Sequence, residues 1–363
     1  MSGKPKVIRP LDWDRRARLP ALGLIPAGSF EKEAVTGLKD AAGAPVHLVF
    51  PVGSAREAGN LCALLSVLRP LLSSLIDQVW VAYGGKRPEG LRRLTEAFPQ
   101  VKIFAAARQL PPDQQDAPLG KGAAMRAFLY HLVVRENVTH PRTVVAFIDA
   151  DIRPPYFHPR WVVDPVGAIL WFHTVEAAKI VYQRPHGGRL NTMLRSLLAL
   201  CPHPGVQTLQ KLAYLLSGEM AGTLKFWSRL PFKTGFGVET LTLLSFALDK
   251  LGLAPGTPDL EHLVKVYVGR MDHRHAPLTS TPTKRGLDQM AGAVFHTLME
   301  SLVGADLLRW QVPEIASPRL SIPVPDGEGG EPVAWMEVPL ADVTLPPLAS
   351  CPEVRARLTP GGD

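Results

Sequence analysis

The sequence predicts an α/β fold with a mostly parallel central sheet. Two observations carry that prediction. Short apolar, β-branched runs recur through the first half of the chain, and segments of helical periodicity separate them. Parallel strands need such helical crossovers, and a sheet covered on both faces reads as continuous apolar runs rather than as alternation.

The elements follow in order. Residues 1–44 read as a polar leader with one short helix near 30–41. PVHLVFPV (45–52) is apolar and bounded by Pro and Gly, hence a buried strand. EAGNLCALLSVLRPLLSSL carries apolar residues at helical spacing. QVWVAY (78–83) is a second strand, EGLRRLTEAF a helix and VKIFAA (101–106) a third strand. A Pro/Gln/Asp loop at 110–118 leads into GKGAAMRAFLYHLVV, a helix. TVVAFI (143–148) is a further buried strand that ends at Asp149. Beyond residue 150 the rhythm loosens. AKIVYQRP (178–185) reads as a strand and 190–228 as helix-rich with a GEMAG interruption. Residues 237–252 read as an amphipathic helix with Gly252 as its C-terminal cap. HLVKVYVG (262–269) is a strand and MAGAVFHTLMESLVGADLL a helix. From about Gln311 the chain is Pro-rich and reads as a tail that wraps or frays.

Composition narrows the function classes. The chain has 363 residues, 46% of them hydrophobic and 20% charged, which excludes a mainly disordered or fibrous protein. Cys62, Cys201 and Cys351 lie far apart and form no CxxC pair, so neither a disulfide framework nor a Cys-rich zinc site is expected, and a reducing, cytoplasmic compartment is the default. The basic N-terminus lacks the apolar core of a signal peptide, and no apolar run reaches the roughly 18 residues that span a bilayer. The formal net charge of +7 permits an anionic partner: nucleic acid, a phosphorylated metabolite or a membrane surface. The basic residues are scattered and no aromatics interleave with them, so nucleic acid is not the expected partner.

Chemistry concentrates in a few short motifs. TVVAFIDADIRP brings Asp149-Ala150-Asp151 to the carboxyl end of a buried strand, where open α/β sheets bind ligands. On extended backbone, side chains two apart share a face. Two carboxylates there suit Mg²⁺ or Mn²⁺, which can neutralise a departing diphosphate; the plainer role is capping of the next turn. MDHRHAPL (271–278) places His273 and His275 two apart after a strand, where an imidazole could complete a mixed N/O metal site. Gly120-Lys121-Gly122 opens a helix, so free N–H groups and a lysine could meet phosphate, although the Walker A pattern is absent. Gly187-Gly188-Arg189 offers a flexible backbone and a bidentate anion ligand. Glu239 in TGFGVET sits at a helix start, where a first-turn or capping role is the default.

In their order these motifs resemble GT-A-type retaining glycosyltransferases of the glucosyl-3-phosphoglycerate synthase and mannosyl-3-phosphoglycerate synthase group. The resemblance runs from about residue 44 to 304: VHLVFPV, GKG, IDAD, HPRWV, a YxRP…GGR segment, GEMAG, GFGVE and HRHAPL. It implies a GT-A (Rossmann-like) fold with a helix-rich acceptor part, and metal-dependent transfer of a hexose from a nucleotide-diphosphate sugar to a small phosphorylated acceptor such as 3-phosphoglycerate. It implies Asp149, Asp151 and His273 as metal ligands for Mg²⁺ or Mn²⁺. Pro51, Val52, Gly53, Glu57, Lys121, Asp149 and Ala150 would hold the donor, and Leu216, Ser217, Gly218 and Glu219 would line the sugar pocket. Arg189 would take the acceptor phosphate with Asn191 or Thr192, and Glu239 would sit between donor sugar and acceptor. A homodimer is also implied. The implied organisation is a leader (1–44), a nucleotide-sugar-binding half (45–152), an acceptor-binding and metal-completing half (153–305) and a tail (306–363). Two departures bear on the donor. The family's acidic pair after the first strand is replaced by Ser54, Ala55 and Arg56, with Glu57 alone to substitute. The family's second strand ends in an acid where this chain has AYGGK. The base therefore stays open between uracil, guanine and others. The alternatives are a glycosyltransferase with a different donor base and acceptor, lipid or other glycoside included, and a non-catalytic nucleotide-sugar-binding paralogue.

Overall fold

The computed structural model describes residues 19, 21–84, 90–107, 109–184, 188–212, 214–272, 286–308, 319–324, 334–339 and 342–358. In chain order the first half contains β1 (Leu24–Ile25), α1 (Lys32–Ala42), β2 (Val46–Val52), α2 (Ala55–Leu68), β3 (Gln78–Tyr83), α3 (Leu91–Ala97), β4 (Lys102–Ala105), α4 (Lys121–Val134) and β5 (Val144–Phe147). The second half continues with α5 (Arg160–Trp171), β6 (Ala177–Gln183), α6 (Arg189–Ala199), α7 (Pro204–Thr208), β7 (Met220–Thr223), α8 (Leu224–Arg229), β8 (Phe232–Lys233), α9 (Val238–Ala247), β9 (Leu263–Arg270) and α10 (Leu287–Val303). The C-terminal part adds β10 (Arg319–Val324), β11 (Ala334–Pro339), β12 (Thr344–Leu345) and α11 (Pro352–Leu358).

The main sheet has eight strands in the order β1-β9-β6-β7-β5-β2-β3-β4. All its pairings are parallel except the two made by β7. The predicted class is therefore present, with the strand at 78–83 as expected, that at 45–52 shorter by one residue and that at 143–148 shorter by one residue at each end. Every residue of VVAF in β5 is buried, as a central strand covered on both faces requires. One core cluster lies on the α4, α9 and α11 side of the sheet, and a second on the α1, α2 and α5 side.

Four expectations change. GEMAG is not a break between helices: Met220–Thr223 form β7, antiparallel between β5 and β6, because that slot in the sheet closes the ladder of both neighbours. The helix expected over 237–252 is α9, which ends at Ala247; Gly252 adopts φ +54° in a later turn and does not cap it. Nor is α9 amphipathic, since every residue from Val238 to Ala247 but Glu239 is buried. The leader is partly built into the fold. Leu24 and Ile25 pair with Lys265 and Val266 at the sheet edge, and Asp164 accepts hydrogen bonds from Gly28 N (2.8 Å) and Phe30 N (3.3 Å). Finally, residues 342–358 seat against the core: Leu345, Leu348, Cys351 and Val354 are buried in the cluster that contains α4.

Candidate active site

A cavity of about 1460 Å³ opens beyond the carboxyl ends of β2, β3 and β5, where the strand order predicts a ligand crevice. Pro51, Val52, Gly53 and Glu57 border it from the β2 end, Gly84 from the β3 end, and Asp149, Ala150 and Asp151 from the β5 end. Lys121, Leu216, Gly218, Glu239 and Arg189 complete it, so the cavity gathers most of the residues singled out in the sequence.

Lys121 is the hub. It is the first residue of α4, whose preceding Gly120 sits in extended backbone. A side chain on Gly120 or Gly122 would overlap the carbonyl oxygens of Thr234 and Lys233, so glycines are what let this helix start press against the chain entering α9. Lys121 Nζ lies 2.6 Å from Asp149 Oδ1 and 2.9 Å from Glu239 Oε1, joining the β5 end to α9. Burial alone would favour the neutral amine, but Asp149 and Glu239 outweigh it and hold Lys121 charged, with its pKa raised. Gly218 packs directly on this pair: a Cβ there would overlap both Lys121 Nζ and Asp149 Oδ2.

Asp149 and Asp151 do not sit on extended strand, as the spacing argument assumed. The β5 ladder stops at Phe147, and Ala150–Asp151 turn away. Asn60 of α2 holds the turn: its Nδ2 donates to Ala150 O (2.8 Å) and Ile152 O (2.7 Å). Both carboxylates still face the cavity. Asp149 is committed to Lys121, whereas Asp151 Oδ1 is buried with no hydrogen-bond partner. Burial, then the charge of Asp149, then that of Glu57 push the Asp151 carboxyl up to about 7. An unpartnered, buried carboxylate oxygen beside two further carboxylates is an arrangement a hard divalent cation would complete, so the donor set fits Mg²⁺ or Mn²⁺. Among the described residues no three acidic, His or Cys groups converge tightly enough to hold a metal by themselves. His273 and His275 lie outside the described residues, but Arg153 meets Asp272 at 2.9 Å and Arg153 N donates to Asp272 O (3.2 Å), so the chain entering the HRH segment is pinned beside the Asp149–Asp151 turn.

Glu57, expected to replace the family's acidic pair, has a structural task. Its Oε2 accepts from Gly53 N (2.6 Å) and Ser54 N (3.1 Å), while Ser54 Oγ accepts from Glu57 N (3.3 Å), a capping box on α2. Among the described residues, the end of β3 offers Gly84 to the cavity and no carboxylate.

On the acceptor side Arg189 opens α6 after Gly188, which adopts φ +91°; Gly187 lies outside the described residues. Asn191 and Thr192 do not join Arg189 at the cavity. Asn191 is buried and its Oδ1 accepts from Leu215 N (2.5 Å), which braces the following loop, and Thr192 is exposed on the helix. Leu216 and Gly218 line the cavity, but Ser217 and Glu219 are buried behind it. Ser217 O accepts from the buried Lys179 Nζ (2.6 Å), and Glu219 Oε2 accepts from Tyr182 OH (3.2 Å). Burial and Asp149 push the Glu219 carboxyl up to about 8, and the residue lies behind the cavity rather than lining it. The sequence reading missed Asn60, Arg153, Arg184, Tyr214, Leu287 and Met290, which also border the cavity. Arg184 lies over the Tyr214 ring at 5.4 Å and bonds its hydroxyl.

Two outcomes follow for solution measurements. Asn60→Ala leaves two carbonyls of the turn unmet, which costs about 1–3 kcal/mol of stability and weakens Mn²⁺ binding by roughly 10–100-fold. Denaturant unfolding and Mn²⁺ titration check this, and unchanged Mn²⁺ affinity refutes the bracing role. The second concerns pH. A cation needs Asp151 ionised, and its carboxyl is raised to about 7, so protons compete with metal below that value. Mn²⁺ affinity in the presence of nucleoside diphosphate rises toward about tenfold per pH unit on approaching pH 7 from the acid side and levels off above it. A flat profile between pH 5.5 and 8, by calorimetry, contradicts it.

Sheet order, with the carboxylate turn at the end of β5 and a lysine bridging it to α9, gives the chain the GT-A type of α/β fold that the motifs led us to expect. Comparison with known proteins bears out the resemblance drawn from the motifs. The chain is similar to glucosyl-3-phosphoglycerate synthase of Mycolicibacterium smegmatis, 28% identical with 71% of this chain and 78% of that protein covered, and of Mycobacterium tuberculosis H37Rv, 29% identical with 71% and 74% covered. No protein-family model matches it. The crystal structure of the M. tuberculosis glucosyl-3-phosphoglycerate synthase with Mn²⁺ and UDP-glucose superposes with a TM-score of 0.69 at 23% identity, covering 92% of this chain and 99% of that one. The complex of that enzyme with Mn²⁺, UDP and phosphoglyceric acid gives 0.67 at 23% identity over 91% and 99%.

Proposed function

We propose that the chain transfers a hexose, glucose by similarity to these relatives, from a nucleotide-diphosphate sugar to a small phosphorylated acceptor of the 3-phosphoglycerate type, with retention at the anomeric carbon. One observation carries this reading: a single cavity is lined by the carboxylates Asp149 and Asp151, the charged Lys121, and Arg189. The first half, 45–152, holds the donor, and 153–305 completes the metal site and holds the acceptor. Asp149 and Asp151 with His273 would hold Mg²⁺ or Mn²⁺, which would supply positive charge to the departing diphosphate.

The protein's own groups do the rest. Pro51, Val52 and Gly53 present backbone to the nucleoside, and Gly84 leaves room where the family carries an acid. Lys121 stays protonated and adds positive charge beside the carboxylates. Arg189 anchors the acceptor phosphate bidentately. Leu216 and Gly218 form the wall against the sugar, and Glu239, fixed by Lys121, orients the hydroxyls between donor and acceptor. The acceptor hydroxyl is the nucleophile and no protein nucleophile is invoked, so positioning and electrostatic stabilisation of the leaving diphosphate supply the rate. The enzyme acts as a cytoplasmic homodimer in this reading; no described helix is long and apolar enough to cross a membrane.

The test is turnover by purified protein with Mn²⁺ or Mg²⁺ on UDP-, GDP- and ADP-sugars with 3-phosphoglycerate and glycerate-like acceptors. Release of nucleoside diphosphate with formation of a glycosylated acceptor is expected. No consumption of any donor defeats the reading, and pyrophosphate release points to nucleotidyl transfer instead.

A further inference from the structure

The segment after α10 returns to the site from behind. Asp342 Oδ1 accepts from Gly235 N (2.7 Å) and Oδ2 from Gly237 N (2.8 Å), so one carboxylate spans the two N–H groups of the turn that leads into α9. Glycines permit this approach: a Cβ on Gly235 would lie 3.3 Å from Asp342 Oδ1, and one on Gly237 would lie 2.7 Å from Oδ2. Between them Phe236 faces the cavity, and Glu239 follows two residues after Gly237. The contact is reinforced from both sides. Val343 N donates to Thr234 Oγ1 and Thr234 N to Val343 O, each 3.0 Å, while β12 pairs with β8. On the far side of the same turn Thr234 O accepts from Ala123 N (3.0 Å), in the first turn of α4 that carries Lys121.

We propose that Asp342 is a positioning residue for the transfer reaction: it fixes the Thr234–Gly237 turn and so holds Glu239 and Lys121 in register across the cavity. This rests on the functional reading above. An anionic carboxylate at the N-terminal end of a helix is favourable in itself. What raises it above an ordinary cap is that the turn it clamps is shared by both arms of the ion pair at the active site. A displacement of about 1 Å at such groups costs up to about 10²-fold in rate.

The experiment compares full-length Asp342→Ala, Asp342→Asn and, on the same segment, Leu348→Ala, which removes a buried side chain that makes none of the hydrogen bonds to the turn. Turnover and amide hydrogen exchange are both read. For Asp342→Ala, kcat falls about 10–100-fold with the donor KM within a few-fold, and amides of 233–239 and 120–124 lose protection. Asp342→Asn keeps one acceptor oxygen and recovers about tenfold in kcat. Leu348→Ala lowers the melting temperature at least as much and leaves kcat unchanged. Unaltered kcat in Asp342→Ala, or an equal loss of kcat in Leu348→Ala, overturns the positioning role. A wild-type protein inactive on every donor defeats the functional reading instead. Hydrogen exchange then decides the clamp: lost protection confined to 342–358 overturns it, and loss that extends to 120–124 supports it.

Discussion

Asp151→Asn lowers kcat/KM by at least about 10³-fold while leaving the apo protein as stable as the parent or more so. The two effects part because of where this carboxylate sits. It is buried beside Asp149 and Glu57, with one oxygen unpartnered, so ionising it in the absence of a cation is unfavourable. Its folded pKa is raised to about 7. A raised acid stabilises the fold fully only below its unfolded value and loses that contribution as pH climbs through 7. The neutral amide escapes that loss, so the melting temperature of the variant relative to wild type improves between pH 5 and 8. Function moves the other way. An amide is a poorer ligand for a hard cation, and the lost stabilisation of the diphosphate is worth several kcal/mol, about 4 for a 10³-fold loss. The check is a melting series with Mn²⁺ and nucleoside diphosphate: ligand that binds only the folded state must stabilise it, and the variant loses that shift. A variant that keeps the full shift removes Asp151 from the metal site.

Lys121→Met is the second large effect, and here stability and activity fall together. The ammonium is the shared partner of Asp149 and Glu239, each more than two-thirds buried at the side chain. Removing one member of such a cluster leaves charges buried and uncompensated, which costs about 3–5 kcal/mol. Adding Glu239→Gln removes one orphaned charge and restores part of the stability without restoring turnover. Denaturant unfolding of the two single variants and the double variant gives the coupling between Lys121 and Glu239 directly. A Lys121→Met protein as stable as wild type across pH 5–8 means that the ion pairs do not hold β5 and α9 together.

Much of this was legible in the sequence, for identifiable reasons. Buried parallel strands read as short apolar runs, so β2, β3 and β5 were found within a residue or two. Asp149, Asp151, Lys121, Arg189 and Glu239, which all border the cavity, stood out because charged or glycine-flanked residues at the ends of apolar elements are conspicuous, and because their order resembles that of a family. Asn191, Ser217 and Glu219 were misplaced because adjacency in sequence to a ligand-facing residue says nothing of which way a side chain turns. On α6, Arg189 faces the cavity while Asn191, two residues on, turns inward to Leu215. Met220–Thr223 gave no strand signal, since a four-residue segment of Met, Ala, Gly and Thr becomes β7 only when β5 and β6 offer it their free edges. Asn60 and Asp342 were silent for a related reason: each acts on backbone groups far along the chain, about 90 and 105 residues away, and no local pattern records that.

The sequence by itself determined the class of the fold and the chemistry of the cavity, because hydrophobic periodicity and residue type are local properties. Only the tertiary structure decided that Asp149 is neutralised by Lys121 while Asp151 keeps an oxygen free, that Glu57 serves the α2 cap, and that the segment from Asp342 to Leu358 belongs to the core. Each of those depends on which atoms meet in space, and charge pairing and burial are set by that meeting rather than by neighbours along the chain.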